Sequence, residues 1–501
     1  MLARVIRIVL WALTVAAILA TLLLQNYARI SCHWRWTSKD TFLRMVVFAD
    51  PQMEGDSKIE RLGKRAVVDL AFNDAYMRHI YRSMMAPSWP SLGIISSYFA
   101  AITAWGDDHD QVNAQIHQQH PNQSPTHVSV LGDLFSSQWI GDQEFDIRLA
   151  RYRSIFQDPA VVPQKAPSLL GLFSKDILNS HPVLINVTGN HDIGYGNDIS
   201  QTRLDRWERV FGKSNFISLV DIPDTTASID DSDSSNIPGS RLHLVVLNTM
   251  LLDGPASDEN LRNQTWQFIE DAAGIKDRHP RDKIVLLTHI PFHKEKGICV
   301  DEPDTRLHWD NTILEQTMLS PNTSYWILDH LKPDFVLNGH DHFGCDVTHV
   351  KDRVEELPLN EPQDDQPNEL STGATWKTYA TFSLPMQDAE ARRGLSVVRE
   401  ITQRSMMAEF GGYSGLLEAR VAPSPMRESH GQEQGPPEVE FHYTACAFYR
   451  DLLVWVVIVV DAIVIGAWAL VVLYKMVMFI VTRSSNRPVQ AATSDKKLKT
   501  L

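Results

Sequence analysis

The stretch Val183-Leu-Ile-Asn-Val-Thr-Gly-Asn-His-Asp192 joins a short apolar run to a cluster of polar side chains. Short apolar runs that end abruptly in a turn are typical of the buried strands of an α/β sheet. Similar runs lie at residues 45–49, 127–131, 242–247, 284–287 and 335–337. Amphipathic stretches, such as 146–156 and 263–273, lie between them. The alternation predicts an α/β fold around a buried sheet.

Polar side chains follow five of the runs, at the points where the predicted strands end. They are Asp50 and Gln52, Asp133, Asn190 and His191, His289, and His340 and His342. Because the carboxyl ends of the strands in an open α/β sheet share one edge, we expect these residues to converge. Carboxylate, amide and imidazole ligands suit Mn, Fe or Zn, and the set holds no thiolate that would favour a structural zinc site.

Asp133 is the carboxylate that we expect to bridge two metal ions. Paired ions about 3.5–4 Å apart stabilise the attacking and leaving oxygens of a phosphoryl displacement and activate water near neutral pH. Gly132, Gly189 and Gly339 stand beside the ligands and let the backbone turn sharply. Taken singly, a Gly-Asp or Thr-His pair is more often a turn or a satisfied core polar group. The order of all five motifs is what predicts a two-metal phosphoesterase site.

The motifs resemble those of the calcineurin-like metallophosphoesterases, whose signature is Asp-x-His, Gly-Asp, Gly-Asn-His-Asp/Glu, His and Gly-His-x-His. The resemblance extends over residues 43–343 and implies a sandwich of two mixed sheets flanked by helices. It implies a first metal site formed by Asp50, Gln52, Asp133 and His342, and a second formed by Asp133, Asn190, His289 and His340. It also implies that His191 protonates the leaving oxygen or stabilises its charge.

Position 52 departs from the family pattern, because Gln52 stands where a histidine is usual. A neutral amide oxygen is a weaker ligand than imidazole, so the first ion should be held less tightly or be a harder ion. The expected cofactors are therefore two divalent ions, Mn²⁺ first, with Zn²⁺ or Fe as alternatives.

Longer stretches resemble a narrower group, the fungal phosphodiesterases of the endoplasmic reticulum that remodel glycosylphosphatidylinositol anchors, in which Gln52 is usual. These stretches are 50–52, 73–76, 132–142, 189–195, 301–306, 339–345 and 405–412. The resemblance implies removal of a side-branch ethanolamine phosphate from a mannose of the protein-attached anchor, a step that promotes export of the anchored protein. Its implied partners are anchored proteins, the membrane and cargo receptors. The alternatives are a phosphomonoesterase or protein phosphatase, and a catalytically weak cargo-binding protein.

The formal charge of −14 argues against a nucleic-acid partner, which would require a basic face. Three segments are rich in Pro, Glu, Asp or Gly and poor in apolar residues, and we expect loops or disorder there. They lie at 221–240, 355–371 and 421–440.

The chain has an apolar run near each end. Residues 8–24 follow Arg4 and Arg7, which suits a signal peptide or an uncleaved signal anchor. The anchor is favoured because the run is long and no clean cleavage site follows it. Residues 452–474 are apolar over roughly the length that crosses a bilayer and are interrupted by Asp461, which either pairs with a helix or has a functional role. Basic residues beyond this run predict cytosolic termini and a lumenal body.

These features predict five parts of the chain. They are an N-terminal transmembrane helix over 1–25, a lumenal domain with insertions over 26–420, a linker over 421–450, a second transmembrane helix over 451–475 and a cytosolic tail over 476–501. Lys497 and Lys499 resemble the retrieval signal of endoplasmic-reticulum membrane proteins, and a basic tail attracted to anionic lipid is the alternative. Glycosylation sequons at Asn263 and Asn322 agree with a lumenal body.

The four cysteines allow three pairings, and a lumenal body permits disulfides. Cys32 and Cys446 each lie a few residues outside a predicted membrane segment and could pair there. Cys299 and Cys345 each follow a histidine motif, which makes a second pair plausible. Four unpaired thiols in a reduced protein are the alternative.

Overall fold

The structure is a computed structural model, and its described residues fall into two compact units. The units are Ala28–Phe448, and Met1–Tyr27 with Tyr449–Leu501. The described residues are 2–27, 32–36, 38, 40–85, 124–156, 162–163, 182–223, 240–351, 376–383, 396–422, 438–448 and 451–485. The predicted loop segments lie largely outside these residues, and the proposed retrieval signal lies wholly outside them.

The larger unit contains two mixed sheets and a short hairpin. Its strands are β1 (Thr41–Phe48), β2 (His127–Leu131), β3 (Val162–Pro163), β4 (Val183–Val187), β5 (Phe216–Asp221), β6 (Arg241–Val246), β7 (Lys283–Leu287), β8 (Thr305–Leu307), β9 (Ile313–Gln316), β10 (Phe335–Asn338), β11 (Cys345–Lys351), β12 (Trp376–Ala380), β13 (Ser396–Thr402), β14 (Tyr413–Val421) and β15 (Val439–Ala447). One sheet has the order β15-β14-β1-β2-β4-β3, and the other β12-β11-β13-β10-β7-β6-β5. The central strands β1, β2 and β4 run parallel, as do β6, β7, β10 and β13. The two mixed sheets implied by the resemblance are confirmed.

The core lies between the sheets and is built from alternate residues of their central strands. Met45 and Val47 of β1 share one buried cluster with Leu244 of β6 and Leu287 of β7. Burial of each side chain of this size contributes roughly 1.5–3 kcal/mol, so the cluster makes a large contribution to the stability of the unit. Because the central strands of both sheets are fixed by this core, their carboxyl ends are fixed as well.

Helices of the larger unit flank the sheets. They are Asp56–Leu62, Lys64–Met85, Asp142–Phe156, Asn190–Ile193, Gln201–Phe211, Glu259–Ala273, Ile275–Arg278 and Pro321–His330. Three of them begin at side-chain caps, where Ser200, Asp258 and Ser320 each accept a hydrogen bond from a first-turn backbone N–H. The two predicted helices at 146–156 and 263–273 are confirmed, and each begins four residues earlier.

The linker predicted over 421–450 is wrong in its second half, where the structure has the strand β15. This strand pairs antiparallel with β14 from Tyr413 opposite Ala447 to Val421 opposite Val439. Its sequence alternates apolar and polar residues, and Phe441 and Tyr443 pack on the core. Composition averaged over the whole segment concealed this period-two pattern, which is the strand signal.

The smaller unit consists of two long apolar helices, Leu2–Gln25 and Asp451–Ser485. Residues Arg4–Leu24 and Leu453–Thr482 are long and apolar enough to cross a membrane. The Thr21 hydroxyl donates to the Asp461 carboxylate at 2.9 Å, and the Trp468 indole N–H donates to the Thr14 hydroxyl at 2.9 Å. The carboxylate inside the second helix therefore has a polar partner on the first.

Both expected disulfides are present in the larger unit. Cys32 pairs with Cys446, with the Cα atoms 5.5 Å apart, and Cys299 pairs with Cys345, with the Cα atoms 5.7 Å apart. The first ties the start of the unit to β15, and the second ties the loop after β7 to the start of β11. Both pairings considered from the sequence are thus confirmed.

Candidate metal centre

The site lies where strand ends from both sheets meet. The first sheet places Asp50 after β1, Asp133 after β2 and Asn190 after β4, whereas the second places His289 after β7 and His340 after β10. The sequence predicted that these residues lie along one edge of a single sheet. In the structure they lie at strand ends that two sheets contribute. We use the name strand-end cluster for Asp50, Gln52, Asp133, Asn190, His289, His340 and His342.

One part of the cluster brings acceptor atoms together. Nε2 of His289 lies 3.0 Å from Oδ1 of Asn190 and 3.3 Å from Oδ1 of Asp133. Nδ1 of His289 lies 2.8 Å from the Leu131 carbonyl oxygen and donates to it, so Nε2 of a neutral ring carries a lone pair. Three acceptors at these distances repel one another unless a proton or a metal cation lies among them. The arrangement fits a divalent cation.

His340 joins this part of the cluster. The candidate ligand atoms of Asp133, His289 and His340 all lie within 4.8 Å of one another. Nε2 of His340 donates to the Gln316 carbonyl oxygen at 2.9 Å, which leaves Nδ1 of the ring as the acceptor. A ring held by a carbonyl at one nitrogen and left bare at the other is the usual arrangement of a metal-binding histidine.

The other part of the cluster contains the unusual Gln52. Nε2 of Gln52 donates to Oδ2 of Asp133 at 3.1 Å and lies 3.1 Å from Nε2 of His342. Its amide hydrogens therefore occupy two acceptors that a cation would otherwise bind. A half-turn of the terminal amide would present Oε1 instead, so the residue can act as donor or ligand. An ion bound at this part of the cluster would have to displace these hydrogen bonds.

Asp50 is fully buried and accepts from the backbone N–H of His340, with both carboxylate oxygens at 3.2 Å. Oδ1 of Asp50 also lies 3.9 Å from Nδ1 of His289. The hydroxyl of Ser405 donates to the Asp50 carbonyl oxygen at 3.0 Å, which fixes the turn after β1. Asp50 thus links the turn after β1 to the turn that carries His340.

Strained backbone is concentrated at these turns. Six non-glycine residues in the described part of the chain have positive φ, and four of them belong to the cluster: Asp50, Gln52, Asp133 and His340. Such conformations cost on the order of 1–3 kcal/mol each and cluster at functional sites. At Gly189, a Cβ atom would lie 2.1 Å from Oδ1 of Asp133, so only glycine permits this approach.

Burial and neighbouring charges shift the pKa values of the cluster. Burial alone would raise the pKa of Asp133 and lower that of His289, but their mutual attraction outweighs it. The pKa of Asp133 lies well below its ordinary value, and the pKa of His289 rises to about 9. Burial raises the pKa of Asp50 and lowers the pKa of His340 to about 3. A proton on His289 therefore offsets the negative charge of the cluster, and a bound cation would compete with that proton.

His191 lies beside the strand-end cluster and lines an open cavity of about 570 Å³. Its backbone N–H donates to Oδ1 of Asp133 at 2.9 Å, and its ring Nε2 lies 3.9 Å from Oδ2 of the same residue. The side chain is 37% exposed, whereas Asp133 and His289 are fully buried. His191 is thus placed to meet a substrate in the cavity.

Some residues of the site gave little sequence signal. Gln316 supplies the carbonyl that orients His340, and Phe410 packs its ring on His342 with the centroids 4.5 Å apart. Asp192 accepts from the backbone N–H of Gly189 at 2.8 Å and of Phe135 at 3.1 Å, which ties the β4 turn to the β2 turn. The sequence motif contains Asp192, but nothing in the sequence indicates that this side chain connects the two turns.

Comparison with known proteins agrees with this geometry. Residues 46–344 match the calcineurin-like phosphoesterase family. Over 404 residues the chain is 29% identical to Protein TED1 of Saccharomyces cerevisiae, which covers 70% of this chain and 73% of that protein. It is 29% identical over 332 residues to an uncharacterized protein of Schizosaccharomyces pombe, with coverages of 63% and 66%.

Animal relatives are more distant. Metallophosphoesterase 1 of Mus musculus is 25% identical over 244 residues, which cover 45% of this chain and 52% of that protein. The fungal and animal relatives are consistent with the narrower resemblance. The region that matches the calcineurin-like phosphoesterase family covers more than half of the chain and includes every residue of the strand-end cluster. The chain therefore belongs to the calcineurin-like phosphoesterases, a family of metal-dependent enzymes.

Proposed function

We propose that the chain is a binuclear metal-dependent phosphodiesterase that removes a side-branch ethanolamine phosphate from a mannose of protein-attached glycosylphosphatidylinositol anchors. The observation that carries the proposal is the convergence of Asp133, Asn190, His289 and His340. All of these except the buried His289 line one cavity, together with the partly exposed His191. The similarity to fungal proteins supports the choice of substrate, because the longer stretches of this chain resemble the fungal anchor-remodelling group.

The proposed ligands divide into two sets that share Asp133. They are Asp50, Gln52, Asp133 and His342 for one ion, and Asp133, Asn190, His289 and His340 for the other. When bound, the ions would supply positive charge to the phosphate oxygens and activate water, with Mn²⁺ preferred and Zn²⁺ or Fe as alternatives. The candidate ligand atoms of Asp133, His289 and His340, which all lie within 4.8 Å of one another, are the feature that best supports binding of a cation.

His191 is the proposed acid. Hydrolysis adds the hydroxyl of water to phosphorus and breaks the bond to the mannose oxygen, which must gain a proton. A sugar alkoxide is a poor leaving group, so a positioned imidazolium contributes about 10²–10⁴-fold to the rate. The backbone hydrogen bond to Asp133 holds His191 beside the proposed ions, and its exposure lets it reach the substrate.

The two apolar helices support placement in the endoplasmic reticulum membrane, with the body in the lumen and both termini in the cytosol. Membrane attachment would hold the site near anchors in the same bilayer and raise their effective concentration. Asn263 and Asn322 are exposed on helices, so the folded protein has room for a glycan on each asparagine. Removal of the branch would promote export of anchored proteins, with cargo receptors as further partners.

The activity is tested with purified full-length protein in detergent, supplied with Mn²⁺ and an isolated anchor glycan. Release of ethanolamine phosphate is expected, at a rate about 10²–10⁴-fold lower in His191→Ala. Hydrolysis of phosphomonoesters alone would contradict the proposal in favour of a phosphatase. In cells, Asp133→Asn should slow export of anchored proteins, whereas unimpaired export would favour the cargo-binding alternative.

The topology is tested on sealed microsomes. We expect glycans on Asn263 and Asn322 and protection of the body from added protease. A body that is unglycosylated and digested would contradict the lumenal placement.

A further inference from the structure

The cavity beside the strand-end cluster has one carboxylate without a partner. Outside the cluster, the acidic residues that line the cavity are Asp198, Asp301 and Glu315. Asp198 pairs with Arg203, and Glu315 pairs with Arg306. The side chain of Asp301 has neither a hydrogen bond nor an ion pair with any described residue, although it is half-buried. The carboxylate of Asp301 is therefore available to pair with a positively charged group of a ligand in the cavity.

The Cys299–Cys345 disulfide holds Asp301 in position. Asp301 follows one half-cystine by two residues, and Phe343 precedes the other by two residues. Both side chains line the cavity. The loop that carries Asp301 is thus fastened to the segment that carries the ligand histidines. Burial raises the pKa of Asp301, and the nearby Asp341 raises it further, so a bound cation would relieve an unfavourable charge.

Aromatic rings stand in the same wall. The side chain of Phe343 is 49% exposed, and its ring meets that of Phe410 edge to face with the centroids 5.6 Å apart. Phe410 in turn packs on His342. Aromatic faces attract ammonium groups, and a nearby carboxylate adds a direct charge partner. The combination of an unpaired carboxylate and an exposed aromatic ring in one cavity is suited to a small organic cation.

We infer that Asp301, together with Phe343 of the same cavity, forms a subsite for the ammonium group of the ethanolamine arm and so determines specificity for this substrate. The inference rests on the proposed function. Arg306 does not compete for Asp301, because it is paired with Glu315. The subsite distinguishes an amine-bearing phosphodiester from one with a neutral arm, a distinction that the metal ligands cannot make.

The test compares a mannose-linked ethanolamine phosphodiester with its N-acetyl derivative, which has no positive charge. Full-length wild-type protein with Mn²⁺ should favour the free amine by about tenfold in kcat/KM, and Asp301→Asn should lose that preference while cleaving the N-acetyl compound normally. Glu302→Gln is the matched control, because Glu302 is exposed on the same loop, pairs with Lys296 at 3.5 Å and does not line the cavity. It should retain the preference.

An undiminished preference in Asp301→Asn would overturn the subsite. If wild-type protein cleaves neither diester, the proposed function fails. The subsite is then tested on its own, by measuring the binding of ethanolamine phosphate calorimetrically. Binding should weaken about tenfold in Asp301→Asn and remain unchanged in Glu302→Gln. Equal affinity of wild type and Asp301→Asn would refute the inference.

Discussion

Two buried polar clusters lie side by side in this protein and balance their charge in different ways. One is the strand-end cluster, and the other, the Glu400 cluster, consists of Lys294, Asn338, His349 and Glu400. The segments 289–294 and 338–342 contribute residues to both. In the Glu400 cluster, Nζ of Lys294 lies 2.9 Å from Oε1 of Glu400, and Nε2 of His349 lies 2.6 Å from Oε2.

The Glu400 cluster supplies its own cation. Burial alone would raise the pKa of Glu400, but Lys294 and His349 outweigh it and lower the pKa to about 2. Among the described residues, no lysine or arginine pairs with Asp50 or Asp133 of the strand-end cluster. The carboxylate of Glu400 is thus neutralised within the fold, whereas those of Asp50 and Asp133 have no lysine or arginine partner and fit the proposed binding of a cation.

The largest effect is expected from Asp133→Asn, which removes the carboxylate shared by both proposed metal sites. We expect kcat/KM for a phosphodiester to fall by on the order of 10³-fold or more, because the charge that positions both ions is lost. Stabilisation by added Mn²⁺ should be lost as well. For the wild type this stabilisation is about 2.7 kcal/mol at a metal concentration of 100 times Kd, measured by thermal unfolding with and without chelator.

Asp146→Asn is the control for this loss of charge, since Asp146 is exposed on the helix Asp142–Phe156 and lies outside the site. It should leave both activity and metal stabilisation unchanged. A variant Asp133→Asn that still gained stability from Mn²⁺ would break the distinction between the two clusters.

Lys294→Met tests the other side of the comparison. It leaves Glu400 buried without its cation, which should cost about 3–5 kcal/mol of unfolding free energy in urea titration. The double variant Lys294→Met with Glu400→Gln should regain much of the lost unfolding free energy, because burying a neutral amide costs less free energy than burying an unpaired carboxylate. Added Mn²⁺ should not restore Lys294→Met. A loss below about 1 kcal/mol would mean that Lys294 is not the balancing charge.

His127 is a buried ionisable group outside both clusters, and it has no acidic partner within ion-pairing distance among the described residues. Burial lowers its pKa to about 4 from an ordinary 6.5. At a pH between these two pKa values, His127 binds a proton more tightly in the unfolded chain than in the folded protein. The stability associated with neutral His127 is therefore complete above pH 6.5 and is lost as the pH falls towards 4, by up to about 3 kcal/mol.

His127→Gln should flatten the dependence of the unfolding free energy on pH between 6.5 and 4, measured by urea titration at several pH values. His330→Gln, at an exposed histidine, is the control and should leave the slope unchanged. An identical slope in His127→Gln and wild type would show that His127 does not stay neutral in the fold.

The sequence predicted the strands and the strand-end cluster because both depend on local signals. A β-branched run followed by Gly189 and Asn190 marks the end of a strand, whatever lies elsewhere in the chain. The Glu400 cluster had no such signal, since Lys294 and Glu400 lie 106 residues apart and meet only through sheet pairing. The carbonyl of Gln316 is likewise invisible in sequence, because any residue type supplies one.

The smallest effect is expected at Gln52, where the two halves of the strand-end cluster differ. Its amide donates to Asp133 and faces His342, so a first ion must replace existing hydrogen bonds. Wild-type protein should therefore bind one Mn²⁺ tightly and a second more weakly by calorimetry. Gln52→His should tighten the weaker site by about tenfold, because imidazole is a better ligand and tolerates the positive φ at this position. Gln138→His adds an imidazole elsewhere on the cavity wall and should change neither affinity. Two equally tight ions in the wild type would show that the hydrogen bonds of Gln52 do not weaken the first site.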